Sequence, residues 1–345
     1  MKINVFYMKG FITKNSGYYK ISSTAIQMKK VLCLIFFIVL FKVKLFSMQK
    51  AKGFTLDFFA STGIGLTNCK EFVYVNSGDI LSELSWKQSP HLLSTLGISL
   101  NLKIGFSCFA SINFVHKKLP TNLVDKDFIN SVVFSYSKHP VKINFSGNIC
   151  SAIGWKFLVY ASKEKKYLFF LEPMLKVDYY FYNYTGYNGF AYKINKYGLK
   201  YDNINFTGNV IDYKMHLFST QLLLNMHTQI NDIIELKAGF SIGVYSKAIA
   251  LDHHILRNIK FYDQFNFFIF LTSLNFSQKY NITEYFGLFS DIDFIFSKSK
   301  KGSTIAQNTN NGTIQYYQKG SSGFQFLRFN FSFGIFFRVG KLQRF

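Results

Sequence analysis

The chain has 345 residues, with 40 basic side chains against 18 acidic ones, 42 Phe, 22 Tyr, 4 Pro and 4 Cys. Four cysteines without a C-x-x-C pair argue against a disulfide framework or a zinc site, and beyond residue 41 there is no apolar run of the roughly 18 residues that a transmembrane helix needs. The net charge of +22 is compatible with binding phosphate or nucleic acid; the Lys residues are scattered, however, without stacking aromatics beside them or a Gly-rich phosphate loop, and no nucleic-acid partner is expected.

Residues 1–27 are mixed and read as an upstream extension, with Met28 as the start. Met28-Lys29-Lys30, the apolar run Val31–Phe41 and the tract ending near Ser47-Met48-Gln49 form the n-region, h-region and cleavage zone of a signal peptide over 28–48. Lys42-Val43-Lys44 leaves the cleavage site open, and an anchor that stays attached is the alternative. Cys33 lies in this segment. Cys69, Cys108 and Cys150 remain and are read as packing residues.

From 49 to 345 the pattern is alternation. Ile104, Phe106, Cys108, Ala110, Ile112 and Phe114 share one face of a strand. Leu236, Ala238, Phe240, Ile242 and Val244 alternate with Glu235, Lys237, Gly239, Ser241 and Gly243. Leu327, Phe329, Phe331, Phe333, Ile335, Phe337 and Val339 alternate with Arg328, Asn330, Ser332, Gly334 and Arg338, and Phe336 is the exception. Long strands with one apolar and one polar face fit lipid outside and a polar lumen inside. Ten strands are predicted, at about 53–67, 80–102, 104–118, 139–162, 166–184, 206–228, 233–249, 257–277, 282–299 and 323–340. The breaks near 103, 163–165, 229–232 and 278–281 are short, whereas those at 68–79, 119–138, 185–205, 250–256 and 300–322 are longer. The predicted fold is thus all-β: a ten-stranded antiparallel transmembrane β-barrel with long extracellular loops and short periplasmic turns. Ten strands leave an interior that side chains largely fill, which argues against a pore.

Two motifs on the long-loop side carry titratable pairs at i and i+2: Asp125 and Asp127 in N-L-V-D-K-D-F, and Asp252 and His254 in A-L-D-H-H-I. On an extended backbone each pair points to one face, and His253 points away. A neutral His is a base near pH 7, and a neighbouring carboxylate favours the imidazolium it forms. Two adjacent carboxylates repel and can share a proton. Asp291 and Asp293, a further D-x-D within a strand, read as a lumen pair balanced by Lys or Arg. His91, His116, His216 and His227 show no metal-ligand spacing.

S-E-L-S-W-K (Ser82–Lys87), N-L-V-D-K-D-F (Asn122–Phe128), S-K-H-P (Ser137–Pro140), Gly154-Trp155 and L-D-H-H (Leu251–His254) occur in the order found in the omptins, ten-stranded outer-membrane endoproteases, and the chain resembles that family over the whole of 49–345. The resemblance implies a metal-independent endopeptidase at the cell outer membrane, its active site facing the exterior and acting on extracellular polypeptides next to basic residues. It further implies that His254 takes a proton from water, that Asp252 orients it, and that the Asp125–Asp127 couple holds and polarises that water; Ser137 and His139 are supporting positions. Glu71 matches an acid that lines a pocket for a basic side chain. The family's second pocket acid falls on Ala250, so a weaker basic preference is expected. The lipopolysaccharide-clamping motif is not matched at Lys176–Phe181 (K-V-D-Y-Y-F), and lipopolysaccharide is not carried over as an activator. No cofactor is expected; the partners implied are outer-membrane lipid and substrate polypeptide, with a monomeric barrel. The terminal Phe345 resembles an assembly signal. A catalytically weak barrel serving as an adhesin or host-protein binder is the alternative.

Overall fold

The computed structural model describes residues 53–75, 78–116, 121–195, 197–268, 271–317 and 319–340. The segments read as an upstream extension and as a signal peptide, with Cys33, and the terminal Phe345 lie outside the described residues.

In chain order the strands are β1 (Phe54–Tyr74), β2 (Ile80–Leu102), β3 (Phe106–Val115), β4 (Thr121–Ile129), β5 (Val132–Trp155), β6 (Phe157–Ala161), β7 (Tyr167–Tyr187), β8 (Phe190–Ile194), β9 (Lys200–Asn205), β10 (Asn209–Ile230), β11 (Ile234–His254), β12 (Ile259–Phe267), β13 (Leu271–Asn281), β14 (Phe286–Ser297), β15 (Lys300–Asn308), β16 (Ile314–Tyr316) and β17 (Ser322–Val339). All pairings that join neighbours around the ring are antiparallel. β3 and β4 run end to end along β2, and β12–β13 and β14–β15 are likewise single staves. The result is a ten-stave barrel, closed where β1 pairs with β17. Closure removes the sheet edges that a membrane strand cannot leave unpaired.

The alternation read from the sequence is realised on both faces. Leu327, Phe329, Phe331, Phe333, Ile335, Phe337 and Val339 are exposed on β17, as are Ile64 and Leu66 on β1, Leu222, Leu224 and Met226 on β10, and Phe240 and Ile242 on β11. They form a lipid-facing belt. At its turn end, Trp155, Tyr160, Tyr167, Tyr280 and Tyr285 are exposed, as in the aromatic girdle of a barrel. Phe336, the break in the pattern, points inward. It packs over Gly287, where an added Cβ would lie 2.5 Å from its ring, and Lys279 and Arg338 sit on its face.

The lumen at belt depth is charged. Asp178 pairs with Lys176 at 3.0 Å, His227 bridges Glu172 and Glu235, and Arg328 donates to Asn148. Lys176 and Asp178 of K-V-D-Y-Y-F therefore face inward rather than onto the outer wall. Lys176 and Arg328 act on Asp293, as expected for that member of the pair. These groups line a cavity of ≈ 930 Å³ in the turn-end half. Above it the barrel is filled by Trp86, Tyr180, Tyr184, Tyr213, Phe324 and Phe326, all essentially inaccessible, with Trp86 stacked on Tyr213 at 4.6 Å. Cys69 and Cys150 are buried and free, and Cys108 is half-buried and free.

Three of the short turns fall where expected, at 103–105, 162–166 and 231–233; the fourth lies at 282–285, because β13 runs on through 278–281 and the turn is made after it. At the opposite end the strands run further than their composition suggested. Much of 68–79 and 119–138 is strand, β4 and β5 join through a tight turn at Asn130 and Ser131, both at positive φ, and 185–205 carries the β8–β9 hairpin. These stretches stand beyond the belt, where both faces contact water or protein and the apolar/polar alternation that marks a strand is lost.

Candidate active site

The strand extensions beyond the belt carry the motif residues. Asp125 and Asp127 lie on β4, not in a loop. Their neighbours across the ladder are Leu84 and Ser82 on β2 and Ser137 and Ser135 on β5. Ser82 Oγ donates to Asp125 Oδ1 at 3.2 Å, and the hydroxyls of Ser82 and Ser135 reach Asp127. Asp252 and His254 end β11, alternating with His253 so that both point inward and are buried. His254 Nε2 and Asp252 Oδ2 are 2.8 Å apart. A carboxylate only accepts, so this contact fixes Nε2–H as the donor and leaves Nδ1 with a free lone pair.

β4 and β11 are separated around the ring by β5, β7 and β10, so the two motifs face each other across the mouth. They are near enough that His254 and Asp125 act on each other's ionisation. Burial, with repulsion from Asp127, pushes Asp125 up to about 7. Burial also raises Asp127 above the usual carboxylate range. Burial opposes the charged form of His254, but the charge and hydrogen bond of Asp252 outweigh it and hold the imidazole above its ordinary value. Arg257, in the turn after β11, adds a positive field that acts on all three groups; the sequence reading gave it no place.

His139 is buried on β5. Its Nδ1–H donates to the Asn188 carbonyl at 2.5 Å, which leaves Nε2 to accept from Ser137 Oγ at 3.1 Å. Burial lowers it below its ordinary value. Gly189 makes this possible: at φ +105, its missing Cβ would sit 2.6 Å from His139 Nδ1. His139 and Ser137 thus flank Asp125.

Glu71 lies on β1, buried, with Oε1 unpartnered. Ala250 is buried on β11, and its partner across the ladder is Asp263 of β12, an acid the sequence reading passed over. Burial raises Glu71 well above the carboxylate range, with Asp263 and Asp252 adding to the effect, and burial pushes Asp263 up to about 7. Among the described residues, no group of three or more His, Cys, Asp or Glu is arranged to hold a metal ion.

Residues 51–339 match the Omptin family. The chain belongs to the omptin family. Its fold is also similar to that of the outer membrane protease OmpT from Escherichia coli: TM-score 0.72 at 18% identity, covering 85% of this chain and 100% of that one. Weaker similarities are to Ail of Yersinia pestis (TM-score 0.27, 9% identity, 84% of this chain and 100% of that one) and to the translocator domain of NalP from Neisseria meningitidis (TM-score 0.28, 9% identity, 90% and 99%). Comparison with curated proteins finds no match. Family membership and fold make this an outer-membrane omptin barrel.

The raised carboxyls of this omptin have a consequence for stability. A group whose pKa is higher folded than unfolded stabilises the fold below its unfolded value, about 4 for a carboxyl, and loses that contribution as pH rises through the folded value. For Asp125 and Asp263 that window closes near 7; His254, also raised, acts in the same direction. The denaturation midpoint is therefore expected to be higher at pH 5 than at pH 8, and Glu71→Gln with Asp263→Asn should flatten the difference. An equal pH slope in that variant would count against the assignment.

Proposed function

We propose that this omptin is an endopeptidase at the outer surface of the cell, hydrolysing peptide bonds next to basic residues with water activated between Asp252–His254 and Asp125–Asp127. The observation that carries the reading is the Asp252–His254 hydrogen bond at 2.8 Å, set across the barrel mouth from a half-buried carboxylate pair in which Asp127 repels Asp125. Water between them gives a proton to His254 Nδ1 while its oxygen attacks the carbonyl carbon. Asp252 stabilises the resulting imidazolium. One proton retained on the Asp125–Asp127 couple provides a donor toward the developing oxyanion. Collapse of the tetrahedral intermediate breaks the C–N bond, and His254 returns its proton to the leaving amine. This route requires no covalent intermediate, so Ser137 need not be a nucleophile.

The test is cleavage of a mixed peptide library by the refolded barrel beside Asp125→Ala and His254→Ala. Wild-type cutting that both variants lose supports the protease. A folded wild type that cuts nothing, with or without added lipid, overturns it in favour of a binding barrel.

The proposal also fixes a pH profile. Activity requires neutral His254 and a couple that still holds one proton. It should rise as His254 loses its proton, above the ordinary imidazole value, and fall as the couple loses its own, near 7. A bell is expected, whose apparent values belong to the coupled set. Burial is the larger cause of the raised Asp125, but Asp127→Asn removes the charge that adds to it, so the alkaline limb should move to lower pH. Measured kcat/KM between pH 5 and 9 with that limb unmoved would reject the shared-proton role.

A further inference from the structure

Two buried carboxylates near the proposed water site are left over by the mechanism. Glu71 is 5% exposed and its Oε1 has no hydrogen-bond partner; Asp263 is 8% exposed. One Asp263 oxygen accepts from Thr304 Oγ1 at 2.5 Å. Both side chains face the lumen: Glu71 shares a strand face with buried Cys69, and Asp263 with buried Phe265. The Asp263 charge acts on Glu71, and Asp252 acts on both. No cation figures among the groups that set the ionisation of either acid. Beneath them lies an apolar floor. Phe324, opposite Glu71 on β17, packs on Phe265 at 5.5 Å, and Trp86 stacks on Tyr213, whose hydroxyl lies beside Glu71.

Buried acids without cations are costly unless something positive arrives. The lumen at belt depth pairs its acids with Lys, Arg or His, as at Asp57, Asp178 and Glu172. Among the described residues no Lys, Arg or His forms an ion pair with Glu71 or Asp263, so a substrate cation would give them the same treatment. We propose that Glu71 and Asp263 together form the pocket for one basic substrate side chain beside the cleaved bond, with Asp263 supplying from β12 the carboxylate that its ladder partner Ala250 does not. This rests on the protease reading and reverses the weaker basic preference expected from Ala250. A guanidinium presents a planar fork of donors that two carboxylates can share, whereas an ammonium is a point charge, so Arg is preferred over Lys. The aromatic floor suits the apolar stem of either side chain.

The experiment compares kcat/KM for two peptides that differ only by Arg or Ala at the pocket position, on the wild type, Asp263→Asn and Asp263→Asn/Ala250→Asp. Loss of one charge-assisted partner should lower the Arg-to-Ala ratio by about 10–100-fold. The double variant, with its carboxylate returned across the same ladder rung, should recover most of that ratio, which a merely structural role of Asp263 would not do. A ratio unchanged by Asp263→Asn, or lowered and not recovered in the double variant, overturns the proposal. A wild type that cuts both peptides equally overturns the pocket and leaves the protease standing; one that cuts neither, nor any library peptide, removes both.

Discussion

His254→Ala is expected to lower kcat by about 10²–10⁴-fold, the usual contribution of a positioned general base, while leaving the barrel folded. The imidazole sits at the end of β11, beyond the belt, and its polar contact is to Asp252 on its own strand. Its removal therefore leaves the barrel staves intact. Asp252→Asn should cost less than His254→Ala if Asp252 acts only through orientation, because an amide can still accept from Nε2–H. It should cost nearly as much if the charge that stabilises the imidazolium matters more. Single-turnover peptide cleavage, read beside the heat-dependent gel mobility of the folded barrel, separates chemistry from folding. A His254→Ala barrel that cleaves at the wild-type rate would remove the dyad from the mechanism.

The second large effect is expected far from the site. Asp57 and Arg338 face each other across the β1–β17 seam that closes the barrel. Arg338 donates through Nε to Asp57 Oδ1 at 2.7 Å and through a terminal nitrogen to Oδ2 at 2.9 Å, and Lys279 of β13 approaches Oδ2 at 3.3 Å. The Asp57 side chain is 1% exposed. Asp57→Ala leaves two cations at the seam without their shared acceptor, and breaking a buried pair of this kind costs about 3–5 kcal/mol. Arg338→Leu in the Asp57→Ala background should recover part of the loss, since removing both partners is milder than removing one. Guanidinium unfolding with reversible refolding into detergent or lipid measures both. A single variant within about 0.5 kcal/mol of wild type would mean that the seam is held by its backbone ladder alone.

How much of this could be read from the chain varies by element. β17 was legible because alternation has a period of two and needs only the neighbouring residues to be seen; even its exception, Phe336, was visible, though Gly287 opposite it was not. β4 was not legible. Beyond the belt neither face is wetted by lipid, so Asp125 and Asp127 sit in a polar stretch that reads as a loop, although it is paired on both sides. Asp263 carried no signal, lying alone in F-Y-D-Q-F with no partner at i+2.

The sequence by itself determined the alternating belt, three of the four short turns and the two i, i+2 pairs, all of which depend on local backbone geometry. Only the tertiary structure decided that Asp125 faces His254 across three intervening staves, that Asp57 meets Arg338 at the closing seam, and that Asp263 lies opposite Ala250. Those meetings depend on strand register around a closed ring, where a slip of one residue turns every side chain to the other face. Register is set by all ten staves together and is written in none of them alone.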